Sequence, residues 1–126
     1  MKRVFEIMTT RVATIGPDVT LETVRRAFEQ HPFHHLPVLG PEGKVIGIVS
    51  DRDLVRACVG GRLDLKRSAS SIMTQMIVSV AGDATVVEAA QRLVKLGVNS
   101  LVVLDEAGKL RGILTSRDIV KATAAG

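Results

Sequence analysis

Apolar and polar positions run through the same order twice along this chain. Residues 12–15 and 77–80 are short apolar stretches, and each is followed by a turn at Gly16-Pro17-Asp18 or Gly82-Asp83. Beyond each turn a threonine, Thr20 or Thr85, is a good N-cap for a helix. Thr85-x-x-Glu88 adds the acidic partner of a reciprocal capping box. Leu21, Val24 and Phe28, and in the second copy Val86, Ala89 and Leu93, recur at helical spacing and predict one buried face each. Pro32 stops the first helix and Gly97 the second. Two apolar strands follow in each copy, 36–39 with 45–49 and 101–104 with 110–114, joined by Pro41-Glu42-Gly43 or Glu106-Ala107-Gly108, as in a hairpin. Helices over 53–59 and 118–124 close the copies.

The likeness extends to residue identity. A shift of 65 places aligns residues 7–57 with 72–122 without a gap, and 16 of those 51 positions are identical. The matches fall in blocks at turns and element ends, including Ile7-Met8-Thr9 with Ile72-Met73-Thr74, Gly47-Ile48 with Gly112-Ile113, and Arg52-Asp53 with Arg117-Asp118. The pattern predicts a mixed α/β (α+β) fold of two strand-helix-strand-strand-helix units, residues 1–59 and 72–126, with 60–71 as linker. A unit of this size buries too little surface to be secure alone. Two units related by a pseudo-twofold axis and packed sheet to sheet would share one core and leave two equivalent clefts.

Composition narrows the class. Of the 126 residues 46% are hydrophobic and 24% charged, the balance of a globular domain. No apolar run approaches the ~20 residues of a membrane span. Glu6 interrupts any apolar run after Lys2-Arg3, which argues against a signal peptide. The single cysteine, Cys58, fits a reducing compartment, and the expected location is cytoplasmic. Its apolar neighbours Leu54, Val55, Ala57 and Val59 predict a small buried hydrophobe. The net charge of +4 favours anionic partners, yet the basic residues are dispersed and the only aromatics are three Phe, a poor platform for single-stranded nucleic acid. No nucleophile elbow and no phosphate-cradling GxxxxGK[ST] is present, so the chain is not expected to be an enzyme.

The strongest local pattern is Gly47-Ile48-Val49-Ser50-Asp51-Arg52-Asp53, echoed by Gly112-Ile113-Leu114-Thr115-Ser116-Arg117-Asp118. Ser/Thr-x-x-Asp at a helix start is a capping arrangement that needs no ligand. It is also a sugar-phosphate site in outline. The carboxylate can accept from vicinal hydroxyls, the arginine before it can neutralise phosphate, and the glycine lets a backbone or a ligand approach closely. Both readings stand on the motif alone. His31, His34 and His35 do not make a metal site, since Pro32 breaks any helix that would align them and no Cys pair or carboxylate cluster completes four ligands.

Taken together, Ile7-Met8-Thr9 with Ile72-Met73-Thr74, Pro17-Asp18-x-Thr20, His34-His35-Leu36-Pro37-Val38 and both Gly-x-x-Ser/Thr-x-x-Asp endings resemble a tandem pair of CBS domains, the Bateman module, over nearly the whole chain. The resemblance implies regulatory binding of an adenosyl ligand, AMP, ADP, ATP or S-adenosylmethionine, in the clefts between the copies, with no obligatory cofactor. It implies that Asp53 and Asp118 hold ribose hydroxyls, that Ser50 and Thr115 lie against the ribose-phosphate, and that Arg52 and Arg117 serve phosphate. For adenine it implies His35, Leu36 and Pro37 with Met76, Ile77 and Val78, and Ser100, Leu101 and Val102 with Arg11, Val12 and Ala13. His34 and His35 stand where the second copy has neutral Asn99 and Ser100, so phosphate is expected at Asp53. The resemblance further implies a homodimer, helped by apolar Val4, Phe5, Ile7 and Ile72, and output through another protein. A ligand-free interaction scaffold is the alternative, and a basic nucleic-acid-binding accessory protein a distant third.

Overall fold

The computed structural model describes residues 2–124; Met1, Ala125 and Gly126, at the ends of the expected repeats, lie outside the described residues. In chain order the elements are α1 (Val4–Ile7), α2 (Leu21–Gln30), β1 (His35–Leu39), β2 (Val45–Ser50), α3 (Asp51–Ala57), β3 (Ser79–Ala81), α4 (Val86–Leu96), β4 (Ser100–Leu104), β5 (Leu110–Thr115) and α5 (Ser116–Ala124). The mixed α/β order predicted from the pattern is complete in the second copy and lacks only the opening strand in the first. Both closing helices begin two residues earlier than expected, immediately after the hydroxyl residue that caps the first of them.

The chain divides into two compact units, and neither is one sequence copy. One contains Ala13–Ile77; the other joins Met1–Val12 to Val78–Gly126. In the Ala13–Ile77 unit, β1 and β2 form an antiparallel hairpin, and Ile15 adds a single parallel bridge beside Val38. The first copy's expected opening strand is reduced to that bridge. In the other unit β3 keeps the full parallel pairing with β4, and β4 pairs antiparallel with β5. Alternating Val78-Ser79-Val80 suits a pleated edge better than the matching Ala13-Thr14-Ile15, which has one β-branched apolar residue.

Thr20 and Thr85 cap α2 and α4 as expected, accepting from the backbone N–H of Thr23 and Glu88. The reciprocal half of the Thr85 box is not made. Glu88 instead accepts from the Thr85 hydroxyl at 3.1 Å. Gly97 ends α4 in the left-handed region at φ 65°, where a Cβ would be strained.

Each unit has its own apolar core. Val24, Leu36, Val38, Val49 and Ala69 centre one, with Phe28, Leu54, Ile72 and Met73 packed against them. Val4, Ala89, Leu93, Leu101, Val103 and Leu114 centre the other, with Ile7, Met8, Val78 and Ile119 around them. Val4, Ile7 and Ile72 are therefore core residues rather than the dimer contacts expected of them; of that group Phe5 alone is exposed. Residues 60–71 are not loose either. Leu65 and Arg67 carbonyls accept from the first N–H groups of α2, and Ala69 N–H donates to Val19. The expected burial of Cys58 is wrong: α3 stops at Ala57, and Cys58 stands exposed at its end beside exposed Val55 and Val59.

The segment before one copy docks on the hairpin of the other. Thr9 exchanges both backbone hydrogen bonds with Ile113 at 2.9 Å, and Thr74 does the same with Ile48 at 3.0 and 2.9 Å. The adjacent glycines make room. A Cβ on Gly112 would lie 2.7 Å from the Thr9 carbonyl oxygen, and one on Gly47 would strike the flexible Met73 side chain first, with the Thr74 oxygen at 3.2 Å. Gly112→Ala is expected to destabilise the chain by about 2 kcal/mol through forced backbone displacement, and Gly47→Ala by less, because Met73 can rotate away. Urea unfolding of the two variants measures the order; equal costs would show that backbone contact is not the difference.

Candidate functional site

In both units the hairpin ends where the closing helix begins, and the motif carboxylate sits at that junction. Ser50 Oγ accepts from Asp53 N–H at 3.1 Å, while Asp53 Oδ2 accepts from Ser50 N–H at 2.7 Å. Thr115 and Asp118 repeat the exchange, at 3.2 Å from Asp118 N–H to Thr115 Oγ1 and 2.9 Å from Thr115 N–H to Asp118 Oδ2. Both are reciprocal caps, worth ~1 kcal/mol each. The cap uses one carboxylate oxygen and orients the other. Asp53 is held at 7% exposure, whereas Asp118 is half-buried.

The second oxygen has a different neighbour in each unit. Arg56 Nη1 donates to Asp53 Oδ1 at 3.3 Å, from a side chain that is 69% exposed. At Asp118 the Thr9 hydroxyl approaches Oδ1 at 3.3 Å. Neither residue was among the sequence-derived candidates. Arg56 follows Asp53 by three residues on a helix, a spacing that brings side chains together and could have revealed it. Thr9 is far away in sequence, and nothing local signals its approach. Arg56 is largely exposed and can swing aside for a diol, and the Thr9 contact is a single long hydrogen bond from a neutral hydroxyl.

Around Asp53, β1 lies in register with β2: His35 opposes Ser50 and Leu36 opposes Val49. Asp51 N–H donates to the His34 carbonyl at 3.1 Å, and His34 Nδ1 meets Asp51 Oδ2 at 2.9 Å. Around Asp118, Ser100 opposes Thr115, Leu101 opposes Leu114, and Ser116 N–H donates to the Asn99 carbonyl at 3.0 Å. Leu36, Pro37, Leu101 and Val102 are buried, and the two leucines belong to the cores, so they can offer a ligand only backbone groups. Arg52 and Arg117 are exposed, each immediately before its carboxylate. The remaining candidates straddle the unit boundaries. Ala13 and Ile77 lie in the unit of Asp53, and Val12 and Val78 in that of Asp118, where Val102 N–H donates to Val78. His31 stacks on Phe33, with ring centroids 5.2 Å apart. Among the described residues no group of three or more His, Cys, Asp or Glu could hold a metal, and no helix is long and apolar enough to cross a membrane.

Burial pushes the His35 imidazole below its ordinary value of 6.5, an effect opposed by Asp51 and Asp53 and reinforced by His34. The fold therefore favours neutral His35. The unfolded chain takes up this proton first as the pH falls, so the stabilisation is present above about 6.5 and is lost through the lower folded value. His35→Gln should flatten the decline of stability below that pH relative to the parent chain. Urea unfolding across the pH series tests it; parallel curves would remove His35 from the linkage.

Comparison with known proteins agrees with this fold. The CBS domain profile matches residues 4–60 and 69–125. A CBS domain-containing protein of Dictyostelium discoideum is 34% identical over 125 residues, covering 91% of this chain and 86% of its own length. The homoserine O-acetyltransferase of Methanococcoides burtonii is 33% identical over 117 residues, but the match spans 92% of this chain and only 23% of that enzyme. Among solved structures, the CBS domain pair of protein MJ0100, in complex with 5'-methylthioadenosine and S-adenosyl-L-methionine, superposes with a TM-score of 0.89 at 23% identity, covering 99% of this chain and 98% of that one. CBSX2 in complex with AMP superposes with a TM-score of 0.87 at 24% identity, covering 99% and 98%. With two matched domains that take in most of its residues, the chain belongs to the CBS domain family.

Proposed function

We propose that this chain is a regulatory module of the cytoplasm that binds an adenosyl ligand at Asp53 and Asp118 and passes the bound state to a partner protein. The ligand class is AMP, ADP or ATP, with S-adenosylmethionine as the other member. The observation that carries the reading is the state of the two carboxylates. Each is ionisable, oriented by a helix cap through one oxygen, and offers the other to a weakly held neighbour. Vicinal ribose hydroxyls are donors of the right spacing for such a group, and a charge-assisted hydrogen bond contributes ~1.5–3 kcal/mol. Similar CBS domain pairs hold 5'-methylthioadenosine, S-adenosyl-L-methionine or AMP, which supports the same class here.

A second feature favours self-association. Val87, Val94 and Leu96 on α4 are exposed, and Leu96 lines an open groove of about 350 Å³ with Val80, Ala84, Glu88, Gln91, Arg92 and Lys95. Exposed valines on one short helix suit a homodimer contact, in place of the α1 residues that the core has taken.

Thermal unfolding with AMP, ADP, ATP and S-adenosylmethionine tests the ligand. At 100 times its dissociation constant the true ligand adds about 2.7 kcal/mol. The informative variant is Asp53→Asn with Asp118→Asn, since asparagine can still accept the capping hydrogen bond that alanine would delete. The shift should vanish in that double variant, and no shift with any of the four would leave only the scaffold reading. Sedimentation tests the dimer. Val94→Glu, at a side chain 83% exposed, should leave folding within about 0.5 kcal/mol of the parent and yield monomer. A dimer that survives it is not built on α4.

A further inference from the structure

The two motifs carry different charge, and the pairings within each unit amplify the difference. Asp51-Arg52-Asp53 with Arg56 sets two carboxylates against two cations. Ser116-Arg117-Asp118 with Lys121 sets one carboxylate against two. In the first group one of the two cations is committed: Arg56 lies on Asp53, while Arg52 is exposed and, among the described residues, not ion-paired, and His34 beside them is hydrogen-bonded to Asp51 at 2.9 Å. His35, the remaining basic side chain at that hairpin start, is partly buried rather than presented to solvent. In the second group the carboxylate is satisfied by the neutral Thr9 hydroxyl. Among the described residues neither Arg117 nor Lys121 is ion-paired, and both are exposed.

We propose that Asp118 marks the site for the phosphate-bearing ligand, and that the Asp53 site takes an adenosyl ligand without negative charge, such as a thioether nucleoside. The proposal rests on the adenosyl reading above and reverses the assignment that the histidines suggest from sequence alone. At Asp53 a phosphate finds one uncommitted cation, Arg52; a second, Arg56, must leave its carboxylate, and Asp51 meets the phosphate as a like charge. At Asp118 it meets two cations with no such commitments. Lys121 follows Asp118 by three residues and so shares its helix face. It acts as a point charge for phosphate rather than as a holder of the ribose.

Calorimetric titration with AMP and with 5'-methylthioadenosine, a neutral probe of the same nucleoside, decides the matter. The parent chain should bind one AMP tightly, and Asp118→Asn should abolish that event. Lys121→Ala changes an exposed side chain outside the cores and should weaken AMP by roughly tenfold. The same substitution should weaken 5'-methylthioadenosine by less than about twofold. Asp51→Ser, which gives the first motif the composition of the second, should create a second AMP event. Loss of the tight AMP event in Asp53→Asn instead of Asp118→Asn would overturn the assignment, as would equal weakening of both probes by Lys121→Ala. If neither probe binds the parent chain, the adenosyl reading falls as well. Binding of the neutral probe without an AMP event at Asp118 sinks the charge assignment and leaves that reading intact.

Discussion

The docking of a Met-Thr segment against a glycine in the opposite copy's hairpin is the contact on which the architecture depends. At Gly112 the Thr9 carbonyl and Met8 sulfur occupy the space a Cβ would take, and at Gly47 Met73 does the same. Backbone hydrogen bonds from Thr9 to Ile113 and from Thr74 to Ile48 lock the approach. Because each segment precedes one copy and pairs with the other, neither copy contains a complete unit. Val4 closes the core around Leu101 and Leu114, while Ala69 closes the core around Leu36 and Val49. The small hydrophobic face of a single copy is thus completed by chain that is distant in sequence, which answers the shortage of buried surface in a 55-residue unit.

That contact also connects the fold to the candidate site. The glycine lies three residues before the hydroxyl that caps the closing helix, so the segment fixing the strand also fixes the start of α3 or α5. In the second unit the link is direct: Thr9, whose backbone holds β5, gives its hydroxyl to Asp118. The capping and ligand readings of Ser/Thr-x-x-Asp, alternatives in the bare sequence, are compatible in three dimensions. A cap takes one carboxylate oxygen and costs the other nothing but freedom. An oriented acceptor loses less entropy on binding than a mobile one.

What the sequence revealed followed from the range of the interaction concerned. Helix faces, caps and hairpins depend on residues within a few positions of each other: Thr20 and Thr85 are the N-caps, Leu21 and Val24 are buried and Gly97 ends α4, all as their spacing implied, with only the reciprocal half of the Thr85 box missing. The exchange of segments depends on pairing across most of the chain, and the repeated Ile-Met-Thr showed that those residues matter without showing where they dock. Cys58 and Val4 depart from expectation for two reasons, the first local and the second long-range. Apolar neighbours suggested burial for Cys58, but α3 ends too soon to turn it inward. Val4, expected at a dimer contact, is laid by α1 into a core formed by residues from the far end of the chain.

The distribution of likeness between the copies now has a physical sense. The Met-Thr and Gly-Ile identities fall where backbone meets backbone, in contacts that tolerate little change in volume, and the shared Asp caps its helix in both copies. Differences gather on the solvent side of the same junction: His34 and His35 against Asn99 and Ser100, Asp51 against Ser116, Arg56 against Lys121. None of these exchanges disturbs a core, yet each alters the charge or hydrogen-bonding capacity within a few residues of a carboxylate. A duplicated scaffold of this kind can keep its packing and still present two electrostatically distinct environments. The pairing of Arg56 with Asp53 shows why counting basic residues is not enough: a cation already matched to a carboxylate offers little to an incoming anion.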